Sequence, residues 1–207
     1  MNLITNDCIG AFLYMNVIKE NFKNPFMWTR IDLNEFYKLI KLYKEIDFKE
    51  IKFTDRTSLK NNLFELCVDQ KFNVLMPHMK FDKRCNKVIK RGNDVYYYKI
   101  WEYIIDKWYD RLKRMTEEPI FVCHLDYKQT YDSTLDETLF NEIVKYCENN
   151  NIKSLFISQL KFDDMTETDY VKKIYFPVYK SSYSHGPQYL IDDYHDLITE
   201  KLNELNH

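Results

Sequence analysis

The sequence predicts an α/β fold, a single-domain, three-layer sandwich around a largely parallel central sheet. Short apolar or β-branched runs alternate along the chain with longer segments whose apolar residues recur every three or four positions, which is strand alternating with helix. Runs such as 119–122 and 154–157 are almost entirely apolar, the pattern of strands covered on both faces. No repeat or linker interrupts the 207 residues, and a hydrophobic content of 45% supplies a sizeable core, so the whole chain reads as one domain.

Leu3-Ile4-Thr5 reads as the first strand, broken by Asn6-Asp7, and Ile9, Phe12, Leu13 and Val17 then mark a helix. Asn24-Pro25-Phe26-Met27-Trp28 is extended, because proline disfavours helix in the residue before it. Asp32-x-x-Glu35 has the form of a capping box, and Leu33, Phe36, Tyr37, Ile40, Tyr43 and Ile46 give the helix behind it one apolar face. Residues 50–54 alternate like a strand, whereas 55–70 are ambiguous, with a candidate helix over 59–68. Residues 72–76 read as a strand ending at Pro77-His78, and the polar stretch 80–94 as a hairpin or surface loop before a strand over 95–99. Ile100, Trp101, Ile104, Ile105, Trp108, Leu112 and Met115 mark an amphipathic helix whose other face carries Lys107, Arg111, Lys113 and Arg114.

A strand over 119–122 leads into Cys123-His124-Leu125-Asp126. Thr134-x-x-Glu137 has capping-box spacing before a helix that turns Leu139, Phe140, Ile143, Val144 and Cys147 inward. A strand over 154–157 ends at Ser158-Gln159, the acidic stretch 163–169 follows, and another strand covers 171–179. Gly186-Pro187 opens a last helix with Leu190, Ile191, Tyr194, Leu197, Ile198, Leu202 and Leu205 facing the core.

Composition excludes several functions. A formal net charge of −2 offers no basic excess to displace the counterions of a nucleic acid. No apolar run reaches the roughly 18 residues that would span a bilayer, and Met1-Asn2-Leu3 does not open a signal peptide. Five scattered cysteines suggest free thiols in a reducing compartment, so the expected location is cytoplasmic. Only 3 glycines, far apart, rule out a dinucleotide fingerprint or Walker-type loop. Without Cys-x-x-Cys or His-Glu-x-x-His, and with irregular spacing among Cys67, His78 and Cys85, no metal or other cofactor is expected.

In parallel α/β sheets, ligands bind outside the carboxyl ends of the strands. Four expected strand ends carry reactive or polar groups: Asn6-Asp7-Cys8, Pro77-His78, Cys123-His124-Leu125-Asp126 and Ser158-Gln159. A first strand placed centrally or near-centrally and parallel to those near Val74, Phe121 and Phe156 would bring them to one rim. A thiol, imidazoles and a carboxylate there are the parts of a Cys–His–acid nucleophilic site. Cys8 falls on the strand-to-helix turn, where helix N–H groups favour a thiolate and where Asn6 or Asp7 can cap; Gly10 permits close approach. A buried structural thiol is the competing reading of Cys8.

Four motifs, in order, resemble a family described as papain-like cysteine peptidases and a related domain of unknown function found in exopolysaccharide-biosynthesis proteins. They are Ile4-Thr5-Asn6-Asp7-Cys8-Ile9-Gly10, then Asn24-Pro25-Phe26-Met27-Trp28, then His78 after an apolar strand, then the basic helix 107–115 leading into Ile120-Phe121-Val122. The resemblance covers roughly residues 2–160. Met27 stands where those families have an acidic residue, and Tyr97-Tyr98 where the exopolysaccharide-type relatives have His-Tyr, so only His78 is carried over.

The leading expectation is a cysteine hydrolase or acyltransferase acting on a small-molecule or glycan substrate in surface-polysaccharide or secondary metabolism. Cys8 attacks a carbonyl, His78 exchanges the proton, Asp126 or His124 orients the imidazole, and N–H groups near Ile9 and Gly10 hold the oxyanion. Asn6, Asp7, Gly10, Trp28, His124, Arg111, Arg114 and Ser158 complete the expected substrate-binding set. A sugar-nucleotide transferase, with Arg111 and Arg114 on phosphates and Trp28 stacked on a ring, is the second reading. A non-catalytic binding module is the third.

Overall fold

The computed structural model describes residues 1–7, 9–19, 25–26, 31–45, 53–58, 63–68, 74–82, 87–91, 94–115, 118–125, 137–159, 161–176 and 188–207. The fold is α/β. Four strands, β1 (Leu3–Thr5), β7 (Ile120–Leu125), β8 (Ser154–Ser158) and β9 (Val171–Tyr175), form an all-parallel sheet in the order β1-β7-β8-β9. Five more strands, β2 (Phe53–Ser58), β3 (Leu63–Val68), β4 (Val74–Asp82), β5 (Lys87–Arg91) and β6 (Asp94–Ile100), form a second sheet in the order β2-β3-β4-β6-β5. Its pairs are antiparallel except β4 with β6. The helices among the described residues are α1 (Ile9–Leu13, running on as a π-turn over Tyr14–Ile18), α2 (Leu33–Leu42), α3 (Trp101–Leu112), α4 (Glu137–Asn149) and α5 (Gln188–Asn206).

Helices cover both faces of the parallel sheet, and strand residues alternate between two separate cores. Ile4, Phe121, Cys123, Leu125 and Phe156 pack with Phe36, Leu39 and Ile40 of α2, Phe140, Ile143 and Cys147 of α4, and Trp108 of α3. Leu3, Ile120, Val122, Leu155 and Ile157 pack on the other side with Ile9 and Leu13 of α1 and Ile198, Leu202 and Leu205 of α5. All six residues of β7 are buried, as the apolar run implied. Each fully buried Leu, Ile or Phe stabilises the fold by about 1.5–3 kcal/mol.

β1 is an edge strand of this sheet, not a central one. Only three residues long, it pairs among the described strands with β7, and part of its other side is served by Tyr14. That hydroxyl accepts from Leu3 N at 3.0 Å and donates to Met1 O at 3.0 Å. Local pattern reports that a strand is buried, not how many neighbours flank it.

Between residues 53 and 82 the sequence expectation gives way. Within the candidate helix over 59–68, residues 63–68 form β3, antiparallel to β2, because a short apolar run takes the state its partners offer, and 59–62 lie outside the described residues. The strand expected to stop at Pro77-His78 runs on to Asp82. Its register against β3 jumps from Leu66↔Met76 to Glu65↔Lys80, so residues 77–79 bulge out of the ladder. Proline has no N–H to give to that ladder, which accounts for the bulge at this point. The stretch 80–94, expected as a hairpin or surface loop, holds the end of β4 and then β5, which pairs antiparallel with β6 as far as Arg91↔Asp94.

The Asp32 side chain accepts from Glu35 N at 2.9 Å and caps α2, while Glu35 Oε1 accepts from Lys38 at 2.8 Å instead of closing the expected capping box. Thr134 lies outside the described residues. The strand expected over 171–179 is described as far as Tyr175, with 177–179 outside. Leu197, expected to face the core, is exposed. A non-helical Tyr194 (φ −121°, ψ 17°) kinks α5 three residues before it. The loop between β8 and β9 is pinned from beneath by Lys173. Its buried Nζ donates to Glu148 Oε1 at 2.7 Å, Asp164 O at 2.9 Å and Thr166 O at 2.8 Å.

Candidate functional site

Because β1, β7 and β8 are parallel, their carboxyl ends lie on one edge, which carries Asn6, Asp7, His124 and Ser158. Where the β1 ladder ends at Thr5↔Val122, the Asn6 side chain continues it. Asn6 Nδ2 donates to His124 O at 2.8 Å, and Asn6 Oδ1 accepts from His124 N at 2.8 Å. The backbone of Asn6 is also engaged, its N–H with Val122 O at 3.3 Å and its carbonyl with Ile31 N at 2.7 Å.

Asp7 holds the ring of the same histidine. Asp7 Oδ2 and His124 Nδ1 are 2.6 Å apart, with His124 only 1% exposed. With Asp7 accepting, this hydrogen bond assigns a proton to Nδ1, the tautomer being set by the partner. The other carboxylate oxygen, Oδ1, accepts from Ile9 N at 2.8 Å, so Asp7 also caps the start of α1. Of the two capping candidates, Asp7 is the one that acts. His124 faces the α1 and α5 side of the sheet and stacks on Phe176, with ring centroids 6.1 Å apart and planes 15° apart. Phe176 in turn meets the ring of Tyr194 edge-on, at the kink of α5.

This geometry changes the role expected of two groups. The Ile9 N–H, assigned to an oxyanion, is committed to Asp7. Gly10 has a neighbour that explains it without any ligand, since a Cβ there would lie 2.5 Å from Thr5 Oγ1. Thr5 Oγ1 itself donates to Asp7 O at 2.8 Å, fixing the turn between strand and helix.

The other expected site residues are distributed as follows. Cys8, Trp28 and Asp126 lie outside the described residues, although β1 ends at Thr5 and α1 opens at Ile9, as the strand-to-helix reading of 3–9 requires. His78 falls in the bulge of β4, in the second sheet, so the argument that placed it on a common strand-end rim with Asn6 and His124 no longer holds. Ser158 is fully buried at the end of β8, its carbonyl accepting from Phe176 N at 3.0 Å. Arg111 is half-buried in the last turn of α3, and Arg114 is exposed in the turn after it.

Two thiols are poor nucleophiles. Burial pushes Cys123 well above its ordinary value, assisted by the negative charge of Asp7. Burial likewise raises Cys147 to about 12. Among the described residues no group of three or more His, Cys, Asp and Glu could hold a metal ion, and no helix is long and apolar enough to cross a membrane.

The sequence named both Asp7 and His124 but not their pairing, since they stand 117 positions apart and meet only because β1 and β7 are neighbours. Phe176 and Thr5 were not foreseen. Their roles depend on packing, which no spacing in the sequence encodes. No protein-family model matches the chain, and no curated protein matches it.

Proposed function

We propose that this chain is a cysteine-dependent acyl-transfer enzyme, a hydrolase or acyltransferase, with Cys8 as nucleophile and His124, oriented by Asp7, as proton carrier. The observation that carries the reading is the 2.6 Å Asp7–His124 pair, buried at the carboxyl end of a parallel sheet and beginning one residue before Cys8. With its proton on Nδ1, a neutral imidazole keeps Nε2 as the basic nitrogen, which takes the thiol proton as the thiolate attacks a carbonyl. Asp7 then stabilises the imidazolium until the proton passes to the leaving group. This replaces the His78–Asp126 assignment of roles by one drawn from residues in contact. The resemblance supports a small-molecule or glycan-linked acyl substrate.

The test is the pH dependence of Cys8 alkylation by iodoacetamide, read by peptide mass mapping. The reading expects Cys8 to react as a thiolate with an apparent pKa below the free value of about 8.5. His124→Asn should raise that value and His78→Ala should not. If His78→Ala alone raises it, the proton carrier is His78. A Cys8 that reacts only in denaturant overturns the enzyme reading altogether.

A further inference from the structure

Asn6 spends its side chain in a way that has no bearing on helix capping or on the core. Its amide oxygen and nitrogen grip the N–H and C=O of one residue, His124, at 2.8 Å each. The next residue, Asp7, grips the ring of that same histidine. Two consecutive residues at the end of an edge strand thus hold one histidine by backbone and by side chain. A planar amide is the only short side chain that offers a donor and an acceptor on two separate atoms of one plane, the complement of a peptide group. Serine and aspartate each match one half of the contact, and glutamine places the amide one methylene too far out.

We infer that Asn6 is a positioning residue, which fixes the His124 backbone so that the imidazole meets Asp7. The bond between ring and carboxylate depends on it for a geometric reason. The 2.6 Å approach requires the residue 124 backbone to stay in register with β1, and β1 has no ladder partner left for residue 124, since its pairing ends at Thr5↔Val122. Without the amide, the backbone bond described at this end of the two strands is Asn6 N to Val122 O, longer at 3.3 Å. A role in binding substrate, the alternative expectation for Asn6, would leave the Asp7–His124 pair unchanged when the amide is removed.

The inference builds on the proposed site, but its primary readout is independent of any thiol chemistry. The measurement is the low-field proton NMR signal of His124 Nδ1–H, assigned by its loss in His124→Asn, in the full chain. Asn6→Ala should abolish that signal or broaden it into solvent exchange, as Asp7→Asn does directly. Asn6→Asp, which keeps the acceptor for His124 N and loses the donor to His124 O, should give an intermediate shift, and serves if Asn6→Ala fails to fold. Where Cys8 is reactive in the parent protein, its alkylation rate at neutral pH should fall about tenfold or more in Asn6→Ala and in Asp7→Asn alike, the loss expected for a hydrogen bond to a charged group. The double variant should fall no further. Retention of the signal in Asn6→Ala or, if that variant does not fold, in Asn6→Asp at its parental shift, overturns the inference. Loss of the signal in a protein whose Cys8 is unreactive leaves the positioning role standing and removes the enzyme.

Discussion

Replacing Gly10 by alanine sets two effects of opposite sign against each other. In an unencumbered helix, Gly→Ala stabilises by about 1 kcal/mol. Here the new Cβ would stand 2.5 Å from Thr5 Oγ1 and 2.8 Å from Thr5 Cγ2, closer than any real contact. Overpacking of that kind costs about 1–3 kcal/mol. Relief requires Thr5 to turn away, which sacrifices its 2.8 Å bond to Asp7 O and about a further 1 kcal/mol. The net expectation for Gly10→Ala is a loss of about 1–3 kcal/mol, measured by equilibrium urea unfolding. Thr5→Ala removes both close atoms and leaves only the Cβ, at 3.2 Å. In that background, Gly10→Ala should become neutral or mildly stabilising, so the pair should be coupled by about 2 kcal/mol. Additivity within about 0.5 kcal/mol, or a more stable Gly10→Ala single variant, would refute the reasoning and reopen position 10 as a place where a ligand comes close.

Lys173→Met should destabilise the protein by about 1.5–3 kcal/mol in the same assay, because it removes the donor shared by the Glu148 carboxylate and the carbonyls of Asp164 and Thr166. Cys123 and Cys147 should resist alkylation in the native state and react only in urea, by peptide mapping. Cys147 also predicts an alkaline weakness. Its folded value of about 12 lies above the unfolded value near 9, so the folded state holds the proton more tightly. Its contribution is full below about pH 9 and declines by about 1.4 kcal/mol per pH unit as pH rises from there towards 12. Cys147→Ala should flatten the fall in stability across that window by one proton's worth, and an unchanged slope would count against the burial of the thiol.

Periodicity and punctuation were enough to recover the parts of this fold whose state is decided locally. The strands at 3–5, 120–125 and 154–158 are short apolar or β-branched runs, and the helices led by Asp32 and ending near Asn149 carry longer apolar faces or their own cap. The parallel pairing of β1 with β7 and of β7 with β8 follows from strands alternating with helices. Stretches where local signals conflict went the other way. Residues 59–68 have enough apolar content for a helix, yet antiparallel partners on either side of β3 make the strand the better-bonded state. Proline at 77 signalled an end, but a sheet can absorb it as a bulge when the ladder resumes beyond it.

The chemistry divides along the same line. Sequence alone supplied the residue types at the carboxyl end of β1 and the capping capacity of Asp7, because a cap is satisfied within two or three residues. Tertiary structure decided that β1 is an edge, that His78 stands in another sheet, and that His124 is clasped by Asn6 and Asp7 from across 118 and 117 positions. Hydrogen bonds at that separation depend on which strands are neighbours, and strand order is set by the competition among all the apolar faces at once. No local window of sequence contains that competition.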